Sequence, residues 1–209
     1  MTMRLGLVAI ALLTASAPHA MPAGEAGADM VKAAAPSLTD NAVPEKERIR
    51  RAAELAADSR PQALDELLAG LQVMGEELRE AIVAALKKKN AGGPILDRAV
   101  DVKAKPDARI NALAGVRALK PKDAAARLAP LLNDTKANGE PVREAIAFAL
   151  CTVDPTAAEA ALVQSIKAEP SAKVRYYVAI ALGELKSSAA KGAVSAQLKL
   201  EKDLAVLDS

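Results

Sequence analysis

The chain has 209 residues, of which 51% are hydrophobic and 1% aromatic, and its 28 Lys and Arg nearly balance its 26 Asp and Glu. This apolar share is enough to build a core, and the balanced charge does not favour nucleic acid or an acidic membrane as a partner. With 49 Ala, two Tyr, one Phe and no Trp, the sequence predicts an all-α protein, because Ala favours helices and sheets favour β-branched and aromatic residues. One His and one Cys exclude a zinc site built from several such ligands.

The chain begins with a short basic segment ending at Arg4, an apolar run over residues 5–13 and a stretch of small residues over 15–20. A membrane-spanning helix needs about 20 apolar residues, whereas this run is shorter and is followed by Pro18. We therefore expect residues 1–20 to be a cleaved secretory signal, with cleavage between Ala17 and Ala26. The protein is then periplasmic or secreted, with no stable membrane insertion after cleavage. An uncleaved helix of the fold is the alternative.

The predicted signal over residues 1–20 affects the interpretation of the only histidine and of the segment that follows the signal. The only histidine, His19, lies in the cleavage zone, so we expect no catalytic or ligand role for it. Residues 21–44 are rich in Ala, Gly and Pro, a composition that buries little surface and predicts a flexible linker. The folded domain is then expected over residues 45–209.

A repeat organises that domain. An Arg recurs at spacings of 31, 30, 34 and 32 residues, and a large aliphatic residue follows each one seven positions later. These repeat anchors are Arg48, Arg79, Arg109, Arg143 and Arg175. Aliphatic pairs four residues apart follow about twenty positions on, and such pairs share one face of a helix. They are Leu67 and Leu71, Leu96 and Val100, Leu128 and Leu132, Leu162 and Ile166, and Val194 and Leu198.

Each repeat is interrupted at its midpoint by residues that end helices. The interruptions are Arg60-Pro61, Gly92-Gly93-Pro94, Lys120-Pro121, Asp154-Pro155 and Lys186-Ser187-Ser188. The sequence therefore predicts five helical hairpins, each with an Arg-bearing first helix and a second helix that carries the aliphatic pair.

The last copies carry a recognisable helix signature, Val-Arg-x-x-Ala-x-x-Ala-Leu-Gly-x-Leu after an acidic residue. Val174-Arg175 to Ala181-Leu182-Gly183-Glu184-Leu185 matches it closely, and in the preceding copy Cys151 replaces the Gly. The region from Glu45 to about Glu201 resembles the HEAT repeat family, in particular the short bacterial form also found in phycobiliprotein lyases. The resemblance implies a right-handed α-solenoid of about five HEAT-like hairpins, which bury their apolar faces by stacking.

The Arg column is the most regular polar feature of the sequence. Acidic residues stand two or three positions before four of the anchors, where they favour a helix N-terminus; they are Glu45, Glu76, Glu77, Asp107 and Glu140. We expect the anchors to bond to neighbouring loops or carboxylates between stacked units, because repeat proteins reuse the same interface contact. An anion-binding stripe is the alternative.

Candidate partner-binding residues come from two other patterns. Twenty-four positions past the anchors the side chain is polar, and in three copies it is Lys103, Lys167 or Lys199. If the second helices line the concave side, as the resemblance implies, these lysines edge a basic groove; solvated helix ends are the alternative.

Tyr176 and Tyr177 are adjacent, so one helix face cannot bury both. An exposed Tyr suits protein contact, and filling space beside the preceding hairpin is the alternative.

Two further residues are assigned structural roles. Phe148 falls on the aliphatic stripe, so we expect it in the core. Cys151 follows the stripe residue Leu150 and is expected to be a small buried thiol.

The function expected from these patterns is that of an exported scaffold or adaptor that binds another protein. We expect no catalysis, no cofactor and no bound metal, since the only His lies in the leader and the carboxylates are spread evenly along the helices. The alternative is a lyase or isomerase on a HEAT scaffold, which needs a pocket with converging carboxylates. A third hypothesis is a subunit of an envelope complex.

Overall fold

The computed structural model describes residues 37–73 and 75–200, which form ten α-helices, one 3-10 helix and no β-strand. The all-α class predicted from the sequence is confirmed. The expected signal and residues 201–209 lie outside the described residues. The helices are α1 (Glu45–Ala57), α2 (Pro61–Gly70), α3 (Glu76–Lys88), α4 (Gly92–Val100), α5 (Pro106–Leu119), α6 (Ala124–Leu132), α7 (Glu140–Thr152), the 3-10 helix (Pro155–Ala158), α8 (Glu159–Ala168), α9 (Ala172–Leu185) and α10 (Ser188–Leu198).

The helix boundaries follow the sequence signals closely. Four of the five predicted interruptions fall at breaks between helices, and Pro61 is the first residue of α2. The interruption predicted at Gly92-Gly93-Pro94 lies a few residues too far along the chain, because α4 already begins at Gly92 and the break lies over residues 89–91. Pro94 is tolerated in the first turn of α4, since the N–H groups of a first helical turn have no partners within the helix.

The helices pack in two series. The odd-numbered helices α1, α3, α5, α7 and α9 each contact the next member of their series, and so do α4, α6, α8 and α10. Their apolar faces form one continuous buried cluster that runs from Leu38 to Ala193. Burial of these faces is the main stabilising contribution, because apolar area removed from water contributes about 25 cal/mol per Å².

The predicted aliphatic pairs line this cluster in all but the last hairpin. Leu67, Leu128 and Leu162 are fully buried, as are their partners Leu132 and Ile166. In α10, by contrast, Val194 is half-buried and Leu198 is 47% exposed. The reason is positional: α10 is the last helix of the described chain, and it packs on α8 and α9.

The core also includes a residue from the expected linker. Leu38 is completely buried, and its Cβ lies close to Gly70 at the end of α2. The described residues 37–44 thus contribute to the packing, although their composition predicted a flexible linker over 21–44. A single Leu in a segment rich in turn-forming residues carries no periodicity, so the sequence pattern did not reveal this contact. No helix in the described part of the chain is both long and apolar enough to cross a membrane.

The packing of α5 makes a prediction about two helical glycines. A methyl group added at Gly115 would lie 2.6 Å from Cδ2 of Leu68 and 3.0 Å from Cγ2 of Ile95, both buried side chains. We expect Gly115→Ala to lower the free energy of unfolding by about 1–3 kcal/mol through overpacking.

Gly183 is the matched control, because it lies in α9 and a methyl group there would meet nothing within 4 Å other than its chain neighbours and the nearby backbone of its own helix. Gly183→Ala should raise the free energy of unfolding by about 0.5–1 kcal/mol through helix propensity. Urea unfolding followed by circular dichroism measures both, and equal stability of the two variants would contradict the packing described for α5.

Candidate functional site

The repeat anchors occupy equivalent places in the fold. Each is the fourth residue of an odd-numbered helix, and acidic residues stand in the first turn of α1, α3, α5 and α7. Arg48, Arg109 and Arg143 are buried, and Arg175 is half-buried. Arg79 departs from the column because its side chain is exposed. The regular spacing therefore predicted the position of each Arg in its helix, but it did not predict how buried the side chain is.

Arg109 links three parts of the chain. Its Nε donates to the carbonyl oxygen of Ala99 at 3.1 Å, at the end of α4, and its Nη1 donates to Oδ1 of Asn138 at 2.6 Å. Asn138 lies before α7 and is completely buried. Its Nδ2 donates to the carbonyl oxygen of Leu131 at 2.9 Å, and its own carbonyl oxygen accepts from Nη1 of Arg143 at 2.7 Å.

Arg143 continues these contacts toward the C-terminal helices. Its Nε and Nη2 donate to the two carboxylate oxygens of Glu169 at 2.9 and 2.8 Å. The Glu169 side chain is only 2% exposed, and its hydrogen bond with Arg143 raises the pKa of that guanidinium. Arg175 then donates from Nη1 to the carbonyl oxygens of Glu169 and Pro170.

These contacts connect α5, α7 and α9 through the loops between hairpins. We call the connected residues Arg109, Asn138, Arg143, Glu169 and Arg175 the arginine chain. In the N-terminal hairpin the corresponding contact is weaker, since Arg48 donates to Oδ1 of Asn41 at 3.3 Å and its Nε is buried without a partner. Buried guanidinium groups need such acceptors, because a charge left unpaired in the core is costly.

The three candidate lysines lie away from this chain. Lys103 lies three residues after the end of α4, Lys167 is in the last turn of α8 and Lys199 directly follows α10, and all three are exposed. Lys167 and Lys199 are at C-terminal helix ends, where a cation interacts favourably with the helix dipole.

An aromatic cluster lies on α7 and α9. The ring of Phe148 stacks on that of Tyr177 with centroids 4.8 Å apart, and the ring of Tyr176 meets Tyr177 edge-on at 5.1 Å. All three side chains are half-buried. The sequence contains two Tyr, one Phe and no Trp, so this cluster gathers every aromatic side chain of the protein.

The core position predicted for Phe148 is wrong. Phe148 lies on the face of α7 that carries Pro141, Glu144 and Ala145, while Ile146 and Leu150 point into the core. The stripe of α7 is broadened by small residues such as Ala147 and Ala149, so apolar periodicity alone assigned Phe148 to the wrong face.

A partly open cavity of about 340 Å³ lies beside the aromatic cluster. Its walls come from α5, α7 and α9, with Gln72 at one side. The side chains that define its chemistry are Ile110, Leu113, Arg117, Glu144, Phe148 and Tyr177. It is therefore an apolar cavity with one cationic and one acidic side chain in its wall.

Arg117 lies over the aromatic cluster. Its Cζ is 3.4 Å from the centroid of the Phe148 ring, a geometry in which the guanidinium interacts with the negative ring face. Its Nε is buried without a hydrogen-bond partner, and burial lowers the pKa of the guanidinium. Among the described residues no carboxylate oxygen lies within ion-pair distance of Arg117, although the side chain stays protonated at neutral pH.

Sequence reasoning missed Arg117. It stands eight positions after its anchor, where three other copies have the small residues Ala56, Cys151 and Gly183 and one copy has Lys87. Because a long cationic side chain also stands at this position in the second copy, the repeat pattern did not single out Arg117.

Cys151 lies on the other side of Tyr177. Cys151 is half-buried, and its Sγ lies 3.3 and 3.0 Å from the carbonyl oxygens of Ala147 and Tyr177, either of which can accept its one S–H. Burial is the main cause that raises the thiol pKa to about 11. The thiol is therefore neutral at physiological pH and contributes packing rather than a nucleophile.

A second cavity of about 470 Å³ lies between α2 and α5. Its wall contains Arg98 and Asp65, which form an ion pair with each other. The same wall also carries Lys105 and Asp107, so its positive and negative side chains are equal in number.

No group of three or more His, Cys, Asp or Glu side chains in the described part of the chain is placed to hold a metal ion. Comparison with protein-family models gives no match, and comparison with curated proteins gives no similar sequence.

The arginine chain predicts a large effect of removing one guanidinium. Arg143→Met leaves the Glu169 carboxylate buried without its bidentate partner, so we expect the free energy of unfolding to fall by about 3–5 kcal/mol. Arg127→Met is the control, because the Arg127 and Asp97 side chains are 41% and 70% exposed and such surface pairs contribute at most about 1 kcal/mol. Chemical denaturation measures both, and similar losses would contradict a special role for Arg143.

The raised pKa of Cys151 predicts slow thiol chemistry. A shift from 9.0 to about 11 lowers the thiolate fraction at pH 8 by roughly a hundredfold. The folded protein should therefore react with a disulfide reagent far more slowly than the urea-unfolded chain does.

The raised pKa of Cys151 also makes the stability of the fold depend on pH. Because the thiol pKa is higher in the folded protein than in the unfolded chain, its contribution to the free energy of unfolding is fully present below pH 9 and is lost as the pH rises toward 11.

Equal rates of reaction of the folded and unfolded protein with the disulfide reagent would contradict the burial of the thiol.

Proposed function

We propose that this protein is a HEAT-like α-solenoid that binds another protein on the surface formed by α5, α7 and α9, and that it does so as a periplasmic or secreted adaptor without catalysis. The solenoid part rests on the two series of helices, in which α3 follows α1, α5 follows α3 and so on. It also rests on the equivalent place of each Arg as fourth residue of its helix. Such regularity is typical of stacked repeats.

One observation carries the binding surface: all three aromatic side chains of the sequence lie together, half-buried, beside a partly open cavity. Aromatic and Arg side chains dominate the energetics of protein interfaces. If the rings served only packing, we would expect them to be distributed through the cores of several hairpins. Here Tyr176, Tyr177, Phe148 and Arg117 form a single patch.

The exposed lysines are assigned a lesser part in this proposal. Lys103, Lys167 and Lys199 lie at the ends of second-series helices and do not line the aromatic cavity. They would act as a charged rim that influences the association rate, because rim charges affect encounter more than affinity.

The proposal predicts site-specific cross-linking. A photoreactive phenylalanine analogue introduced at Tyr176 should cross-link one protein partner in the native host, because the analogue keeps an aromatic ring at the patch. The same analogue at Lys122, an exposed residue between α5 and α6, is the control and should not trap that partner. The mature N-terminus of the cross-linked species should lie beyond Ala17 if the protein is exported.

Two results would contradict the proposal. Identical products from the two positions, or no protein product from Tyr176, would show that the aromatic patch is not a protein contact. A small molecule that co-purifies in stoichiometric amount would instead favour the lyase or isomerase alternative.

A further inference from the structure

We propose that the cavity beside Arg117 receives the carboxylate of an Asp or Glu side chain, flanked by apolar residues, from the bound protein partner. This inference rests on the proposed function and specifies the chemistry of the same surface. The occupant is identified by charge complementarity, by the orientation of Arg117 and by the character of the cavity wall.

The charge of Arg117 is uncompensated within the described residues. Two buried guanidinium groups have protein acceptors: Arg143 has the Glu169 carboxylate, and Arg109 has the uncharged oxygens of the Ala99 carbonyl and Asn138, with its Nη2 left without a partner. Arg117 donates no hydrogen bond to any described residue, and its Nε is buried without a partner. A cation in a low-dielectric setting attracts an anion more strongly than one in water does. An incoming carboxylate would supply the missing partner.

The guanidinium of Arg117 lies against the Phe148 ring, with Cζ 3.4 Å from the ring centroid. The N–H groups of a guanidinium lie in its own plane, so hydrogen bonds to a ligand form around its edge. Its Nε is already covered by protein, so a ligand in the cavity meets the terminal Nη groups. The planar edge of a guanidinium suits a carboxylate, which accepts two parallel hydrogen bonds.

The apolar part of the cavity wall determines which side chains of the partner can lie beside its carboxylate. Leu113 and Ile110 from α5 and Phe148 from α7 form an apolar surface. A cavity of about 340 Å³ lies at the small end of ligand pockets, which span about 300–1,000 Å³. It therefore has room for one or two side chains. An acidic residue next to a Leu or a similar apolar residue fits both the charge and the wall.

Glu144 sets a limit on this binding. Its carboxylate also lines the cavity, so an incoming anion meets a like charge as well as Arg117. The two side chains therefore have opposite effects on the same ligand. Neutralising Arg117 should weaken binding of an acidic segment, and neutralising Glu144 should strengthen it.

The test uses two matched peptides, acetyl-Leu-Glu-Leu-amide and acetyl-Leu-Gln-Leu-amide, titrated into the purified protein and followed by backbone amide NMR shifts. We expect the Glu peptide to bind at least tenfold more tightly than the Gln peptide, with shifts in the C-terminal halves of α5 and α7. In Arg117→Met this preference should be lost. In Glu144→Gln the Glu peptide should bind about three- to tenfold more tightly, and Arg127→Met should match the unmodified protein.

The opposite signs separate electrostatics from damage to the fold, because a destabilised variant would not gain affinity. If Arg117→Met fails to fold, Glu144→Gln and the comparison of the two peptides still decide the matter. Equal affinity for the two peptides, absence of binding by both, or unchanged affinity in Glu144→Gln would overturn the inference. Free succinate binding as tightly as the Glu peptide would also overturn it, since the site would then take small carboxylates.

The outcome is separable from that of the proposed function. Cross-linking at Tyr176 with no peptide preference would leave a protein-binding surface that does not use a carboxylate. A charge-dependent peptide preference with no cross-linked partner would instead leave a carboxylate site without the adaptor role.

Discussion

An arginine placed near the start of a buried helix must find acceptors for its guanidinium, because an unpaired charge in an apolar core costs several kcal/mol. In this protein residues from the loops between hairpins supply many of these acceptors, although Nε of Arg48 and Nη2 of Arg109 are buried without a partner. Arg109 reaches Asn138, and Arg143 reaches the carbonyl oxygen of Asn138 and both carboxylate oxygens of Glu169. Since these acceptors belong to segments other than the helix of the donor, satisfying each Arg also fixes the position of the next helix. The apolar stripes supply the bulk of the stabilisation, and the arginine chain makes the relative placement of α5, α7 and α9 specific.

That placement determines the surface proposed for partner binding. The same three helices carry the arginine chain near their N-termini and the walls of the Arg117 cavity further along. Phe148 and Tyr177 stack across two helices, so their contact depends on how α7 and α9 are aligned. A binding site supported by rigid helices is more preorganised than one built on loops. The arginine chain therefore positions the helices that carry the proposed binding surface, and none of its members lines the cavity.

Much of the fold was predictable because the same helix-forming and helix-ending residues recur in each copy of the repeat. Aliphatic residues four apart and a proline at four of the five midpoints identified the helices, and the Ala-rich composition identified the class. Contacts made by individual residues outside the repeat pattern were not predictable in this way. Leu38, Asn138 and Glu169 are buried in irregular segments that have no periodicity, and loops of different length place the last two at different offsets from the next anchor. Phe148 was assigned to the core because small residues blurred the boundary of its stripe. Arg117 did not stand out from the repeat, because Lys87 occupies the equivalent position in the second copy.

The claim that polar contacts between loops fix the helix positions is tested most directly by a double-mutant cycle on Arg109 and Asn138. Unfolding free energies would be measured for Arg109→Met, Asn138→Ala and the double variant. We expect the two changes to be coupled by at least about 1 kcal/mol, because each single change leaves a buried polar group without its partner. Additivity within about 0.5 kcal/mol would mean that the two residues act independently. The arginine chain would then be a set of separate local contacts, which is the opposite of what the geometry indicates.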